Sequence, residues 1–145
     1  MDVKFFQENI KFRFSQKTRI KNWLKDLAQK YKIEILFINI IFTTSKNLKS
    51  VNVQFLKHNY NTDVITFSYC IDDVIQAEIY IDYKTVKSNA KRYKTTFNLE
   101  MARVIVHGFF HILNYEDHTD EQKKEMRDLE DNALNLLQNK YGFKI

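Results

Sequence analysis

His107 and His111 stand four residues apart in the apolar run Val104-Ile105-Val106-His107-Gly108-Phe109-Phe110-His111-Ile112-Leu113, and they are two of only four histidines in the chain. On an α-helix that spacing puts both imidazoles on one face, about one turn apart. Two neutral imidazoles hold one divalent ion, most often zinc, when a third protein ligand arrives and a further position stays open for water. Glu116, Asp117 and His118 follow a few residues downstream as candidate third ligands. An ion held this way is a Lewis acid that makes hydroxide available near neutral pH, so hydrolysis is the leading reaction class. Zinc peptidases of the His-Glu-x-x-His type carry their general base directly after the first histidine; here that place is Gly108, and a protease of that type lacks its base. Glycine inside a helix costs roughly 1 kcal/mol relative to alanine, which points to a close approach of substrate or backbone, or to a tight helix crossing.

The elements that must position these residues are legible from periodicity. The histidine helix is expected to begin near Asn98, with Met101, Val104, Ile105, Gly108 and Ile112 facing a core. Glu100, Arg103, His107, His111 and Asn114 form a polar stripe beside that face. Asn114 suits the left-handed position that ends a helix, which turns residues 116–118 back toward the imidazoles. Thr119-x-x-Gln122 predicts a capping box opening a last helix with apolar positions Met126, Leu129, Ala133, Leu136 and Leu137, ending before Gly142. Its acidic residues Glu125, Asp128, Glu130 and Asp131 read as solvated charge.

Upstream, residues 3–14 alternate loosely like a short strand or two. Ile20, Trp23, Leu24, Leu27, Ala28 and Tyr31 recur at helical spacing after a cap at Ser15 or Thr18. Residues 33–43 read as a strand, and Ser45 as the cap of a helix carrying Leu48, Val51, Asn52 and Phe55. Residues 63–68 and 77–82 read as neighbouring strands joined by a loop around Asp72 and Asp73. Over residues 83–97, Val86, Ala90, Tyr93 and Phe97 define a buried helical face, while Lys84, Lys87, Lys91 and Lys94 form a second stripe. A row of lysines is usually a solvated face, and it is also how a helix tracks phosphates.

The chain of 145 residues suits one domain, 1–145, with a core that needs no disulfide. A single cysteine, Cys70, read as a small core or strand residue, permits neither an internal disulfide nor a cysteine-based zinc cluster, and favours a reducing, cytoplasmic setting. No signal-peptide pattern opens the chain and no apolar run reaches membrane-spanning length, so neither export nor membrane association is expected. The net charge of +5 is uneven: 17 Lys and Arg stand against 9 Asp and Glu over residues 1–99, and 6 against 9 over 100–145. The basic part is the candidate surface for a polyanion.

At this point the residues resemble a known family. His107-Gly108-Phe109-Phe110-His111-Ile112-Leu113-Asn114-Tyr115-Glu116-Asp117-His118 is similar to the metal motif of the YbeY-type endoribonucleases, the rRNA maturation factors, written His-Gly-x-Leu-His-Leu-x-Gly-Tyr-Asp-His. Thr62-Asp63-Val64-Ile65-Thr66-Phe67 resembles that family's Thr-Asp-Val-Leu-Ser-Phe, and Asn52 with Phe55 fits its Asn-x-x-Tyr. Order and spacing agree from about Leu48 to Ala133. The resemblance implies an α+β fold with a small mixed sheet and a zinc-dependent, single-strand-specific endoribonuclease, with one ion per chain. It further implies work on the 3′ end of 16S rRNA and in ribosome quality control, with the small ribosomal subunit as partner and no DNA substrate. By the family's spacing the ion is held by His107, His111 and Asp117; by chemical preference alone the third ligand is His118, since imidazole is the commoner ligand. Lys84, Lys87, Lys91 and Lys94 are the candidate RNA track. The family's arginine after the Tyr-like Phe55 is Leu56 here, so Lys57 or His58 stands as the substitute cation. That departure keeps a rival reading alive, an RNA-binding module with a structural zinc and little or no catalysis. A hydrolase acting on another phosphoester or on an amide is a third reading, disfavoured by Gly108.

Overall fold

The computed structural model describes residues 1–56 and 63–144, with the backbone alone at 53–56. Lys57, His58 and Thr62 lie outside the described residues, and so does the side chain of Leu56. The elements run β1 (Asp2–Gln7), α1 (Lys17–Lys30), β2 (Ile35–Thr43), α2 (Ser45–Leu56), β3 (Val64–Ile71), β4 (Val74–Asp82), α3 (Tyr83–Arg92), α4 (Phe97–Ile112) and α5 (Asp120–Tyr141). Four strands form one mixed sheet in the order β1-β2-β4-β3. β1 pairs parallel to β2 and β2 parallel to β4, while β3 and β4 form an antiparallel hairpin. The hairpin turns on Asp72 and Asp73, both in the left-handed region at φ 52° and 64°, which aspartate tolerates better than most residues and which a two-residue hairpin demands. This is the α+β class with a small mixed sheet that the family resemblance implies.

Strand pairing sorts the sheet residues by face. Ile40 pairs with Ile79, and Ile79 with Thr66, so these three share one face. On the other face Ile41 pairs with Tyr80, which pairs with Ile65, and α2 packs there with Leu48 buried. The first face is covered by α4, whose sequence is apolar nearly all round because it is sandwiched between β3 and β4 on one side and helices α1, α3 and α5 on others. Trp23 of α1 is fully buried and its indole N–H donates to the Ala133 carbonyl of α5 at 2.8 Å, closing the helical layer over α4.

Gly108 lies where α4 crosses the hairpin. A Cβ there would come within 3.1 Å of the methyl carbons of both Ile79 and Thr66, so the glycine serves a tight helix-to-sheet crossing.

Several local expectations change. Strand character in residues 3–14 is confined to Asp2–Gln7, and Phe14 enters the core from the connection. α1 is preceded by Gln16, without a side-chain cap; its amide instead pairs with the Lys144 backbone through two bonds of 2.8 Å. Ser45 is already helical, the cap being Thr44, whose hydroxyl accepts from the Asn47 N–H at 3.1 Å, while Ser45 donates to Asp82. α3 stops at Arg92, closed by Lys94 at φ 56°, so Lys94 is off the helix and Tyr93 is 60% exposed rather than buried. Cys70 is in a strand, but exposed.

Gly108→Ala gains about 1 kcal/mol of helix propensity, yet Ile79 and Thr66 are β-branched and stiff, and overpacking costs about 1–3 kcal/mol. A net loss of about 1 kcal/mol is expected in urea unfolding. Thr66→Ser, which removes one of the two methyls, should recover part of it in the double variant; strict additivity would show that the crossing is not the cause.

Candidate metal centre

Two helix ends fix the site. α4 closes through Asn114 at φ 72°, with the Asn114 N–H on the His111 carbonyl at 2.9 Å and the Tyr115 N–H on the Phe110 carbonyl at 3.0 Å. The Tyr115 ring meets Phe110 edge-on, which anchors the reversal. A few residues on, α5 opens with the capping box: Thr119 Oγ1 accepts from the Gln122 N–H at 3.1 Å, and Gln122 Oε1 accepts from the N–H groups of Thr119 and His118 at 3.0 Å each. Between these fixed ends Asp117 points back at α4. His118 has its backbone engaged in the cap and is exposed.

Asp117 Oδ2 lies 3.3 Å from His107 Nε2 and 3.5 Å from His111 Nε2, and the two Nε2 atoms are 2.9 Å apart. Each remaining ring nitrogen faces an acceptor. His107 Nδ1 is 2.7 Å from Glu130 Oε2, and His111 Nδ1 is 2.9 Å from the Tyr115 carbonyl. Both Nδ1 atoms therefore carry the proton, and in the neutral rings both Nε2 lone pairs converge with a carboxylate oxygen on one point. Three acceptors so close repel unless a cation is shared among them, and that is the donor set of a divalent ion with nitrogen and oxygen ligands. Among the described residues, His107, His111 and Asp117 are the group whose ligand atoms, all within 4.8 Å of one another, could hold a metal ion.

Glu130 corrects the expectation of solvated charge on α5. It is 5% exposed, and besides His107 it accepts from Arg103 Nη1 at 2.9 Å; Arg103 Nη2 reaches Asp131 at 2.7 Å. The signal was present in the sequence: residue 130 falls on the same helical face as Met126, Ala133 and Leu137, so a carboxylate sits within an apolar stripe. Burial disfavours a charged His107, but Glu130, with Asp117 and Asp63, outweighs it and holds that pKa above the ordinary histidine value. Burial and the neighbouring His107 push His111 below it. The pair thus resists taking two protons at once.

His107 and Asp117 open onto a cleft of about 590 Å³ walled by the start of β3, the end of α3, α4 and the first turns of α5, within the ~300–1,000 Å³ usual for ligand sites. Two more carboxylates missed as site residues, Asp63 and Glu100, line it; burial pushes the pKa of each up. Arg103, Lys123 and Arg127 supply opposing charge. Lys84, Lys87 and Lys91 are exposed on α3 and Lys94 just past its end, outside the cleft lining.

The model of the endoribonuclease YbeY family matches residues 2–138. The chain is 38% identical to the endoribonuclease YbeY of Cytophaga hutchinsonii over 133 residues, 91% of this chain and 93% of that one. Against that of Amoebophilus asiaticus identity is 34%, covering 96% and 94%. The solution structure of TM1509 from Thermotoga maritima superposes with a TM-score of 0.62 at 25% identity, covering 96% of this chain and 91% of that protein.

Metal analysis of purified protein should find about one divalent ion per chain, lost in His107→Ala, His111→Ala and Asp117→Ala but kept in His118→Ala. Stoichiometric metal in Asp117→Ala together with its loss in His118→Ala would reverse the assignment. Glu130→Gln, which weakens the hold on His107, should lower metal affinity by about 10- to 100-fold.

Proposed function

The chain belongs to the YbeY endoribonuclease family, and from that premise we propose that residues 1–145 work as one metal-dependent domain cutting single-stranded RNA in 16S rRNA 3′-end maturation and ribosome quality control. The proposed metal is zinc, one ion on His107, His111 and Asp117; the proposed partner is the small ribosomal subunit, with no DNA substrate, in the cytoplasm. No helix among the described residues is long and apolar enough to cross a membrane.

The observation that carries a catalytic reading over a structural one is the openness of the ligand set. Structural zinc sites are closed by four protein ligands, whereas catalytic ones leave a position free. Here three ligands are found among the described residues, with side chains 24%, 26% and 33% exposed, beside a cleft. When bound, the ion supplies Lewis acidity and a hydroxide near neutral pH. The residues of the chain do the rest. Glu130 and the Tyr115 carbonyl hold the two imidazoles in one tautomer and one orientation. Lys123 and Arg127 stand one turn apart on α5 and offer positive charge to the phosphates of a strand entering the cleft. The lysines at 84, 87, 91 and 94 would track phosphates beyond it. Leu56 leaves the family's arginine position without a cation, which is the observation favouring the rival RNA-binding module.

Incubated with single-stranded RNA, the protein should cut it, and a chelator should abolish cutting and lower the melting temperature, because an ion bound only to the folded state stabilises it. RNA bound but uncut with metal in place would select the binding module; Leu56→Arg should raise cleavage, and no gain from it would favour that module as well. Changing the four lysines together to Gln should weaken RNA binding and flatten its dependence on salt; parallel salt slopes would make them a solvated face.

A further inference from the structure

Tyr93 is out of place for an ordinary helix residue. It sits at the end of α3 with 60% of its surface exposed, although it occupies the spacing of the buried positions Val86 and Ala90. The exposure is not looseness of the backbone. The Tyr93 N–H bonds the Asn89 carbonyl at 2.9 Å, and the Thr95 N–H returns to the Ala90 carbonyl at 2.9 Å across Lys94 in the left-handed region. This closure makes Tyr93 the C-terminal cap of the helix and holds its backbone in place. The Arg92 guanidinium lies over the ring, 5.7 Å from its centroid, a cation–π contact that biases the ring's orientation. Tyr93 lines the same cleft as His107, Asp117, Lys123 and Arg127.

Resting on the endoribonuclease reading above, we propose that Tyr93 is the base-stacking platform of the cleft, taking one unpaired base of the substrate strand while Lys123 and Arg127 take its phosphates. A flat, rigid aromatic surface offers stacking to any base, so it binds without reading sequence. A base already paired and stacked in a duplex cannot present its face, so this residue selects single strands within the cleft onto which the metal centre opens. The phenol rim adds little to stacking, and phenylalanine should serve nearly as well.

The test is stopped-flow anisotropy of a short labelled single-stranded RNA with metal-loaded protein, before cutting, compared across a series in which each nucleotide in turn is made abasic. Tyr93→Ala should bind about tenfold more weakly than the parent, Tyr93→Phe within about twofold of it, and both should retain full metal content. At one position of the series the abasic change should cost the parent the same factor and cost Tyr93→Ala nothing further. Tyr93→Ala binding like the parent, Phe and Ala losing equally, or a loss that adds to every abasic change would each overturn the platform while leaving the endoribonuclease reading intact. A parent that neither binds nor cuts single-stranded RNA would overturn both.

Discussion

The close crossing of α4 over the β3–β4 hairpin at Gly108 is the constraint on which the site depends. With no side chain at 108, the helix settles against the methyls of Ile79 and Thr66, and that contact sets its rotation about its own axis. Once ten of its sixteen residues are buried against sheet and helices, only a narrow strip stays accessible, and Arg103, His107 and His111 occupy it. His107 faces the cleft and His111 follows one turn on along the same strip, because every other direction is filled. A larger residue at 108 would lift the helix and move both imidazoles relative to Asp117, which is held from a different element.

Electrostatics then explains why charge is buried here at all. Glu130 is taken out of water within the apolar face of α5, a placement that costs several kcal/mol for an unpaired carboxylate. Two donors, Arg103 and His107, offset the loss. In exchange the carboxylate fixes the tautomer of His107, so the two sides of one imidazole are committed, one to the protein and one to the site. Asp63, Glu100, Asp117 and Glu130 make that end of the cleft acidic, unfavourable for an approaching phosphate. A divalent ion held there would, with the cations of α4 and α5, reverse the local sign, which would link metal binding to polyanion binding. The excess of positive charge over residues 1–99 supplies the longer-range attraction.

Much of this was legible in the chain. Elements followed from periodicity, since a helix or strand writes its buried face into residues a few positions apart. The His107–His111 pair, the helix end at Asn114 and the Thr119 capping box are contacts within one turn, and the stretch around them carried the family resemblance because such motifs are local in sequence. The position of Asp117 relative to the pair depends only on the short span between two recognisable helix ends.

What the tertiary structure alone decided lies farther apart. Glu130 stands 23 residues from His107, and nothing local distinguishes it from Glu125 or Asp128 except its place on an apolar stripe, which becomes a position against His107 only when α4 and α5 pack. Tyr93 keeps the helical spacing of a core residue, yet it is the residue on which α3 closes, because the left-handed Lys94 after it gives the end of α3 a set of backbone hydrogen bonds that periodicity does not register. Ser45 is a cap by type, but it is already inside α2, and Asp82 at the end of β4 takes its hydroxyl. The sequence by itself determined the pattern of burial and the local turns, through interactions spanning about one helical turn. The crossing of the helices determined which polar side chains meet, because those partners are chosen by packing and not by spacing.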